Sequence, residues 1–279
     1  MPSIVIVGAG EMAGALARQL AAADLAPNVV LVDEAAGVAA GKALDILQAS
    51  AVDRYATRLS GVADVSVAAG ASLVIIADTA AGAEWQDDAG LQLVKRLAGL
   101  NQTAPFFCAG ARQASLIERA VGELGLPRRR LVGTAPEALR AAVTAVAALE
   151  AGCAPADVML SVLGRPPHQV IVPWDEASIA GRAAIDVLDP PAIARIEARL
   201  PRLWPPAAFT LASAAVRVAR SALSRSPRSH PVFVALTREE GQAGRAAALP
   251  ARLDPAGISA VSRPALSTRD RVRLDVALG

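Results

Sequence analysis

The chain has 279 residues, of which 53% are apolar, and its formal net charge is +2. This is enough apolar material for one large core or two smaller ones. Charged residues interrupt every long apolar stretch, so no segment is predicted to span a membrane. The chain passes from Met-Pro-Ser directly into the apolar run Ile4–Val7, without a basic leader or a cleavable apolar segment, which predicts a cytoplasmic protein.

Two further sequence features argue against other classes of function. Cys108 and Cys153 are the only cysteines and have no neighbours at metal-ligand spacing, so reduced structural thiols and no metal site are expected. Arg128, Arg129 and Arg130 form a basic cluster, but no aromatic residues interleave with them, which argues against nucleic-acid binding. The triplet is instead expected to be a solvated connection before the next strand.

The first half of the chain alternates short β-branched runs with alanine-rich helical stretches. Strands are predicted over Ser3–Val7, Val29–Val32, Leu73–Ile76 and Pro105–Phe107, and helices near 12–23, 36–51, 86–99 and 115–124. Continuously apolar strands separated by helices predict a doubly wound parallel sheet with right-handed crossovers and both faces covered.

The second half has a different order of predicted helices and strands. A long alanine-rich helix follows Gly133, and the later predicted features are strands at Val158–Leu163, Val170–Val172 and Pro231–Leu236 and a helix after a capping-box pattern at Ser267–Asp270. This order is typical of an α+β domain. A domain boundary near residue 140 is predicted, with residues 1–140 forming the doubly wound domain and residues 141–279 a C-terminal α+β domain.

A glycine-rich turn follows the first strand and opens the first helix, which is the context required of a dinucleotide-binding fingerprint. Gly8 would permit the tight turn, Gly10 would let backbone amides approach a pyrophosphate, and Ala13 is small enough for helix–strand packing. Asp33 ends the second strand, where a carboxylate binds the adenosine ribose hydroxyls and repels a 2′-phosphate, so NAD is favoured over NADP. Residues 1–140 are therefore predicted to be a dinucleotide-binding (Rossmann) domain.

The alternative is that the two glycines serve only a tight strand-to-helix turn. Glu11 favours this alternative, because a negative side chain at a helix N-terminus could itself occupy the anion site or repel a phosphate.

Several segments together resemble one family. Gly41–Gln48, following Leu31-Val32-Asp33, resembles the G-K-A-L-D-L-x-Q stretch of malate dehydrogenases, and Ser178–Gly181 and His230–Val234 resemble the family at corresponding intervals. Over essentially its whole length, with a shortened C-terminal portion, the chain resembles the malate/lactate dehydrogenase family. The resemblance implies a dimer or tetramer that transfers a hydride between NAD and the hydroxyl-bearing carbon of malate or lactate.

The resemblance also implies catalytic side chains: a histidine paired with a carboxylate, a substrate-binding arginine, mobile-loop arginines and an asparagine beside the nicotinamide. Other residues stand at the matching positions, namely Gly82 and Asp88 for the loop arginines, Gly110 for the asparagine, Leu139 for the carboxylate, Ala142 for the substrate arginine and Pro167 nearest the histidine. The loop itself is acidic, with Glu84 and Asp87, and Asp78 adds a negative charge where the cofactor phosphates would run.

Three residues that lie close to the expected catalytic positions form an alternative catalytic set. Glu137 and Arg140 preserve the acid and arginine three residues apart but lie two residues early, which turns them by about 200° around a helix. His168 lies one or two residues late for the base, and its alternative role is a surface histidine in a loop. His230, at the start of a strand, is expected to be structural.

The sequence therefore favours a malate/lactate dehydrogenase-like, NAD-binding protein without ordinary malate or lactate dehydrogenase activity. One alternative is an active NAD-dependent oxidoreductase acting on a different 2-hydroxy or keto compound, with His168 as base and Glu137 and Arg140 as partners. Another is a structural or regulatory subunit that associates with an active relative. The expected partners are a small-molecule nucleotide and further copies of the chain.

Overall fold

The computed structural model describes residues 3–279, which form two β-sheets and nine α-helices joined by turns and short 3-10 helices. The strands are β1 Ser3–Val7, β2 Asn28–Val32, β3 Arg58–Val62, β4 Leu73–Ile76, β5 Phe106–Cys108, β6 Leu131–Gly133, β7 Val158–Met159, β8 Leu163–Arg165, β9 Gln169–Ile171, β10 Ser178–Ile179, β11 Arg182–Ala183, β12 Ser229–Ala235, β13 Ala246–Asp254 and β14 Gly257–Val261. The helices are α1 Glu11–Ala22, α2 Ala36–Asp53, α3 Asp87–Leu100, α4 Ala114–Gly122, α5 Ala135–Ala151, α6 Ala184–Val187, α7 Pro190–Arg199, α8 Ala208–Leu223 and α9 Thr268–Leu278.

The larger sheet begins as a parallel sheet with strand order β3-β2-β1-β4-β5-β6. It continues through antiparallel β12, β13, β8 and β9, with β14 beside β13. A small antiparallel sheet contains β11, β10 and β7. The fold is thus α/β, a Rossmann-type doubly wound parallel sheet followed by an α+β portion, which confirms the predicted fold class.

The central parallel strands are apolar, apart from Ser3 at the start of β1, because helices cover both of their faces. Ile4 pairs with Val29 on one side and with Leu73 on the other, and all three side chains are buried. The prediction for β1 and β4 is correct to the residue. Because β1 and β4 are neighbours, the loops that follow them meet at the same carboxyl edge of the sheet.

Five strands were not predicted, namely β3, β10, β11, β13 and β14. In β3, charged, polar and glycine residues stand among the apolar ones, and β13 is rich in alanine with Pro250 at its centre, so neither contains the β-branched run that signals a strand. The single strand predicted over Val158–Leu163 is wrong. Its ends are β7 and β8, which lie in different sheets, and the residues between them are irregular.

The core has two parts. The main cluster takes residues from both halves of the chain, from Ile4 to Leu278, and a second cluster packs the inner face of α5 against Trp174 and Ile196. Residue 140 lies within α5, and the division into domains at that point stays a prediction. Over residues 3–279, no helix is both long and apolar enough to cross a bilayer.

The solvated connection predicted for the arginine triplet is wrong for Arg130. Its side chain is buried, donates hydrogen bonds to the carbonyl oxygens of Asn101 (2.7 Å) and Ala104 (2.9 and 3.0 Å), and lies over the ring of Phe106. A guanidinium can be buried here because backbone acceptors satisfy its donors. The middle residue, Arg129, is exposed, and Arg128 is partly buried in an ion pair with Glu240.

Candidate functional site

The glycine-rich turn connects β1 to α1 and packs tightly against the residues that follow β4. Gly8 has a φ of +127°, and a Cβ atom there would lie 2.1 Å from the carbonyl oxygen of Asp78. A Cβ on Gly10 would lie 2.2 Å from the Asp78 carboxylate. Both glycines are needed for this close approach. The group that approaches the turn is Asp78, through its backbone carbonyl at Gly8 and its carboxylate at Gly10.

The carboxylate of Asp78 occupies the N-terminus of α1. It accepts hydrogen bonds from the backbone N–H groups of Met12 (3.1 Å) and Ala13 (2.8 Å), while the Asp78 carbonyl accepts from Gly10 (3.0 Å). N–H groups in a first helical turn have no partner within the helix, and together with the helix dipole they form an anion site. Glu11, which was considered for this place, is exposed. An internal anion therefore already holds the position expected for a pyrophosphate.

Asp33 stands at the end of β2, as predicted, but its carboxylate is tied to the backbone. One oxygen accepts from Ala9 (3.0 Å) and Ala80 (2.8 Å), the other accepts from Ala35 (2.9 Å), and the residue is only 8% exposed. Two carboxylate oxygens offer about four acceptor sites, so little capacity remains for ribose hydroxyls. The Lys42 ammonium group donates to the carbonyl oxygen of Gly10 (2.7 Å).

The acidic segment after β4 is folded into a tight hairpin. Asp78 and Glu84 form an antiparallel bridge, Thr79 N–H donates to the carbonyl of Ala83 (2.8 Å), and Gly82 N–H donates to the carbonyl of Thr79 (2.8 Å) with a φ of +81° at Gly82. Backbone hydrogen bonds close the turn. The segment that the family resemblance identifies as a mobile loop thus lies on the carboxyl edge of the sheet.

Glu84 fixes the far end of this hairpin. Its carboxylate accepts hydrogen bonds from the N–H groups of Ala111 (3.1 Å) and Arg112 (2.8 Å), just after β5. A Cβ atom on Gly110 would lie 2.3 Å from the same carboxylate. Gly110 is the position matched to the family's asparagine, and the acidic side chain fills the space beside it.

These residues do not fit a dinucleotide in the arrangement observed. The phosphates would have to displace Asp78 from its two N–H donors, and like charges on Asp33 and Asp78 oppose their approach. Gly8, Gly10, Ala13 and Asp33 occupy the places that the fingerprint predicts, but their part in cofactor binding stays a prediction. Over residues 3–279, no group of three or more His, Cys, Asp or Glu side chains could hold a metal ion.

A cavity of about 290 Å³ remains between the carboxyl edge of β5 and the β8 strand. Its charged side chains include Arg112, Glu118 and Arg165, and the Glu118 carboxylate accepts from Arg165 (3.3 Å) and from the N–H of Ala246 (2.8 Å). Within the described residues, no histidine lines this cavity. Sequence inspection missed the Glu118–Arg165 pair, because the two residues stand on a helix and a strand that are remote in sequence and match no motif.

Three residues that stand at positions matched to the family's catalytic side chains are either apolar or engaged in an ion pair. Leu139 is fully buried in the second core cluster, and Ala142 is half-buried on the same helix. Asp88, at a loop-arginine position, pairs with Arg119 at 2.8 Å. None of these three provides a proton acceptor or a carboxylate-binding guanidinium to the cavity.

The structure brings two of the displaced candidates together and leaves the third apart. Glu137 and Arg140 form a two-bond ion pair (2.9 and 2.6 Å), and Glu137 also contacts Arg217 and His230. Burial alone would raise the pKa of Glu137, but hydrogen bonds from His230 and Arg140 outweigh it and lower that pKa. His168 is exposed on the β8–β9 turn and bonds to neither residue. The catalytic roles of His168, Glu137 and Arg140 stay predictions.

Sequence comparison finds relatives along the whole chain. The malate dehydrogenase of Trichormus variabilis is 28% identical over 295 residues, which cover 99% of this chain and 91% of that protein. The malate dehydrogenase of Thioalkalivibrio sulfidiphilus is 28% identical over 296 residues, covering 100% of this chain and 96% of its own. No family model matches the sequence.

Structure comparison gives the same fold. The malate dehydrogenase from Aeropyrum pernix superposes with a TM-score of 0.87 at 19% identity, covering 99% of this chain and 95% of that chain. The lactate dehydrogenase from Cryptosporidium parvum, whose structure contains lactic acid and nicotinamide adenine dinucleotide, has a TM-score of 0.87 at 21% identity, with 99% and 94% covered.

Proposed function

We propose that this chain, which belongs to the malate/lactate dehydrogenase family, has lost hydride transfer between NAD and malate or lactate. The observation that carries the proposal is the Asp78 carboxylate bound to the N–H groups of Met12 and Ala13. This contact places a fixed negative charge where the phosphates of a dinucleotide would lie.

The replaced catalytic positions support the same proposal. Reduction of a 2-keto acid needs a proton donor, and it needs cations that bind the carboxylate and stabilise the charge that develops on the carbonyl oxygen. Leu139 and Ala142 supply neither, and Glu84 adds a carboxylate beside the cavity. General acid–base catalysis contributes about 10²–10⁴-fold, and one oxyanion donor about 10²–10³-fold, so losing both lowers the rate by several powers of ten.

NAD binding is proposed to be weak for the same reason. The Cryptosporidium parvum lactate dehydrogenase contains the dinucleotide, and in this chain the same ligand would require release of the hairpin from Asp78 to Glu84. Release would break the carboxylate bonds to α1 and to the residues after β5. A ligand that must first displace these contacts binds with an apparent affinity reduced by the population of the open state.

The test is a titration of the purified chain with NADH, followed by nicotinamide fluorescence, with oxaloacetate and then pyruvate added to the same sample. We expect no saturable binding in the range where the Thioalkalivibrio sulfidiphilus malate dehydrogenase saturates, and no oxidation of NADH. Turnover near the rate of that relative would contradict the proposal. If turnover occurs and is lost in His168→Ala, the alternative with His168 as base is favoured.

A second candidate function, a structural or regulatory subunit, is favoured by the outer face of α2. Leu44, Leu47 and Val52 are exposed there within an arc of about 140° around the helix, and Val52 is 81% exposed. Apolar side chains grouped on one helix face are typical of a protein–protein interface. We propose association through this face, either with a second copy or with an active relative.

Native mass spectrometry tests this second candidate. The chain is measured alone and after mixing with the Thioalkalivibrio sulfidiphilus malate dehydrogenase, and Leu44→Lys is the variant. We expect an oligomer that dissociates in Leu44→Lys. A monomer under all of these conditions would contradict association through α2.

A further inference from the structure

The cavity between the carboxyl edge of β5 and β8 has an aromatic wall in addition to its charged side chains. Trp204 and Phe233 line it, and their rings meet edge to face, with centroids 6.0 Å apart and an interplanar angle of 80°. Ala111, Pro166 and Ala246 extend the apolar surface. Edge-to-face contacts between aromatic rings are favourable, so the indole ring is held in place before a ligand binds. The wall therefore favours a ligand with a flat apolar ring.

The charged side chains that line this cavity sum to one positive charge. They are two arginines and one glutamate, namely Arg112, Arg165 and Glu118. Glu118 pairs with Arg165 at 3.3 Å and also accepts from the N–H of Ala246 (2.8 Å), so these two side chains neutralise each other. Over residues 3–279, the guanidinium group of Arg112 makes no ion pair and no side-chain hydrogen bond. A planar guanidinium group matches a carboxylate with two parallel hydrogen bonds.

Glu84 opposes a second negative charge on the ligand. Its carboxylate accepts from the backbone N–H groups of Ala111 (3.1 Å) and Arg112 (2.8 Å) and does not line the cavity itself. A ligand with two carboxylates would bring its second charge near Glu84 or Glu118, and like charges repel. The cavity therefore favours a monocarboxylate over a dicarboxylate such as malate.

The size of the cavity limits the ligand to a small molecule. Its volume of about 290 Å³ lies at the lower end of the range of about 300–1,000 Å³ in which proteins bind small ligands. An apolar and aromatic lining with a few polar groups at fixed positions is typical of such pockets. Ser115 adds one exposed hydroxyl group to this lining. The cavity thus has room for one ring system with a short charged arm.

We propose that this cavity binds an aromatic monocarboxylate that has neither a 2-keto nor a 2-hydroxy group. The ring packs on Trp204, and the carboxylate pairs with Arg112. Neither residue stands at a position matched to the catalytic side chains of the family. The inference rests on the proposed function, because it gives a ligand that undergoes no hydride transfer to the cavity that the lost reaction leaves.

The test is isothermal titration of the full-length protein with indole-3-acetate, without NADH. Indole-3-acetamide keeps the ring without the charge, and acetate keeps the charge without the ring. We expect saturable binding of indole-3-acetate, about tenfold weaker binding of the amide because a charge-assisted hydrogen bond is lost, and no saturation by acetate in the same range. Equal binding of the acid and the amide overturns the role of the carboxylate, and saturation by acetate overturns the role of the ring.

Two substitutions test the two contacts separately. Arg112→Gln changes an exposed side chain, so the variant should fold with the melting temperature of the unsubstituted chain and bind indole-3-acetate about tenfold more weakly. Trp204→Leu removes the aromatic surface and should weaken binding about fivefold. Affinity that is unchanged in Arg112→Gln overturns the proposal.

Arg58→Gln is the matched control for Arg112→Gln. It removes the same charge from an exposed residue of β3, outside the cavity. Unchanged binding in Arg58→Gln supports the proposed site. An equal loss in Arg58→Gln would mean that only the general positive charge attracts the probe, which overturns the proposal.

Failure of this inference and failure of the proposed function give different results. Absence of saturable indole-3-acetate binding overturns the inference alone, because this titration contains no NADH. Oxidation of NADH by oxaloacetate contradicts the loss of hydride transfer on which the inference rests. Oxaloacetate that binds as tightly as indole-3-acetate, without any oxidation of NADH, overturns only the assignment to an aromatic monocarboxylate.

Discussion

The carboxylate of Asp78 accepts a 2.8 Å hydrogen bond from the backbone N–H of Ala13 and thereby caps α1 from a different part of the chain. In the sequence, Gly10 stands at the N-cap position of this helix and offers no side-chain acceptor. The first turn would otherwise need solvent or a ligand to satisfy its N–H groups. Asp78, which follows β4, thus satisfies these N–H groups and occupies the place where an external anion would bind.

Substituting Asp78 should therefore restore affinity for nucleotide. In Asp78→Ala, the N–H groups of Met12 and Ala13 lose their internal acceptor and one negative charge leaves the site. An anion at a helix N-terminus gains up to about 2 kcal/mol, so NADH should bind more tightly than to the unsubstituted chain, by up to about thirtyfold. Nicotinamide fluorescence gives the comparison.

The control for this substitution is Asp189→Ala. Asp189 caps α7 through the N–H of Ala192 (2.8 Å), so its loss also removes a capping carboxylate but leaves the turn after β1 intact. NADH affinity should be unchanged in Asp189→Ala. Equal affinities in Asp78→Ala and the unsubstituted chain would show that Asp78 is not what limits binding.

The tight packing of the glycine turn gives a second prediction. In Gly10→Ala, the new Cβ atom would lie 2.2 Å from the Asp78 carboxylate and 2.5 Å from the carbonyl oxygen of Thr79, so the hairpin must shift. Overpacking of this kind costs about 1–3 kcal/mol. Urea unfolding should show a loss of that order in the free energy of unfolding.

Gly99→Ala is the matched substitution for Gly10→Ala. Gly99 is exposed within α3 and a Cβ atom there meets nothing within 4 Å, so alanine should stabilise the helix by about 0.5–1 kcal/mol. If both substitutions shift the unfolding midpoint in the same direction, the close contact between the turn and Asp78 is not significant in solution.

The sequence predicted the elements correctly where a clear local pattern, such as a continuous apolar run, coincides with burial in the structure. The strands β1 and β4 are apolar and buried, apart from Ser3 at the start of β1, and their limits were predicted correctly. Ser267 caps α9 through the N–H of Asp270 (3.3 Å), as its capping pattern indicated. The β13 strand was missed because alanine carries little strand preference, and its position depends on pairing with β12.

The site was predicted only in part, because its closure depends on contacts between distant segments. The negative charge of Asp78 near the phosphates was foreseen, since the ends of β1 and β4 are neighbours in any doubly wound sheet. The hydrogen bonds between Glu84 and the residues after β5 depend on how the hairpin folds back. The contact between Glu137 and His230 depends on the packing of α5 against β12. Neither contact has a sequence signal.

The pH dependence of stability should reflect Glu137. Its pKa is lowered from its ordinary value of 4.5, because hydrogen bonds from His230 and Arg140 outweigh the effect of burial. A carboxyl whose folded-state pKa is lowered contributes stability that is present above its unfolded-state pKa and is lost as the pH falls through the folded-state value. In Glu137→Gln, the free energy of unfolding should fall by about 2 kcal/mol at pH 7.

As the pH falls from 4.5 through the lowered folded-state pKa of Glu137, the difference between Glu137→Gln and the unsubstituted chain should shrink, because the carboxyl becomes neutral first in the unfolded chain and then in the folded one. Urea unfolding at several pH values measures this. Glu11→Gln is the control, because Glu11 is exposed and makes no ion pair or side-chain hydrogen bond over residues 3–279. A difference for Glu137→Gln that stays constant with pH would contradict the role assigned to this carboxylate.

The burial of Arg130, which the sequence did not predict, can be tested by substitution. Its guanidinium group donates to the carbonyl oxygens of Asn101 and Ala104 and lies 4.8 Å from the centre of the Phe106 ring. A lysine at this position offers a compact ammonium group in place of a planar fork, so it should lose part of these hydrogen bonds and the stacking. Arg130→Lys is expected to lower the free energy of unfolding by about 1–3 kcal/mol, while Arg129→Lys, at the exposed neighbouring residue, should stay within about 0.5 kcal/mol of the unsubstituted chain. Equal effects of the two substitutions in urea unfolding would mean that Arg130 is solvated in solution, as the sequence alone had indicated.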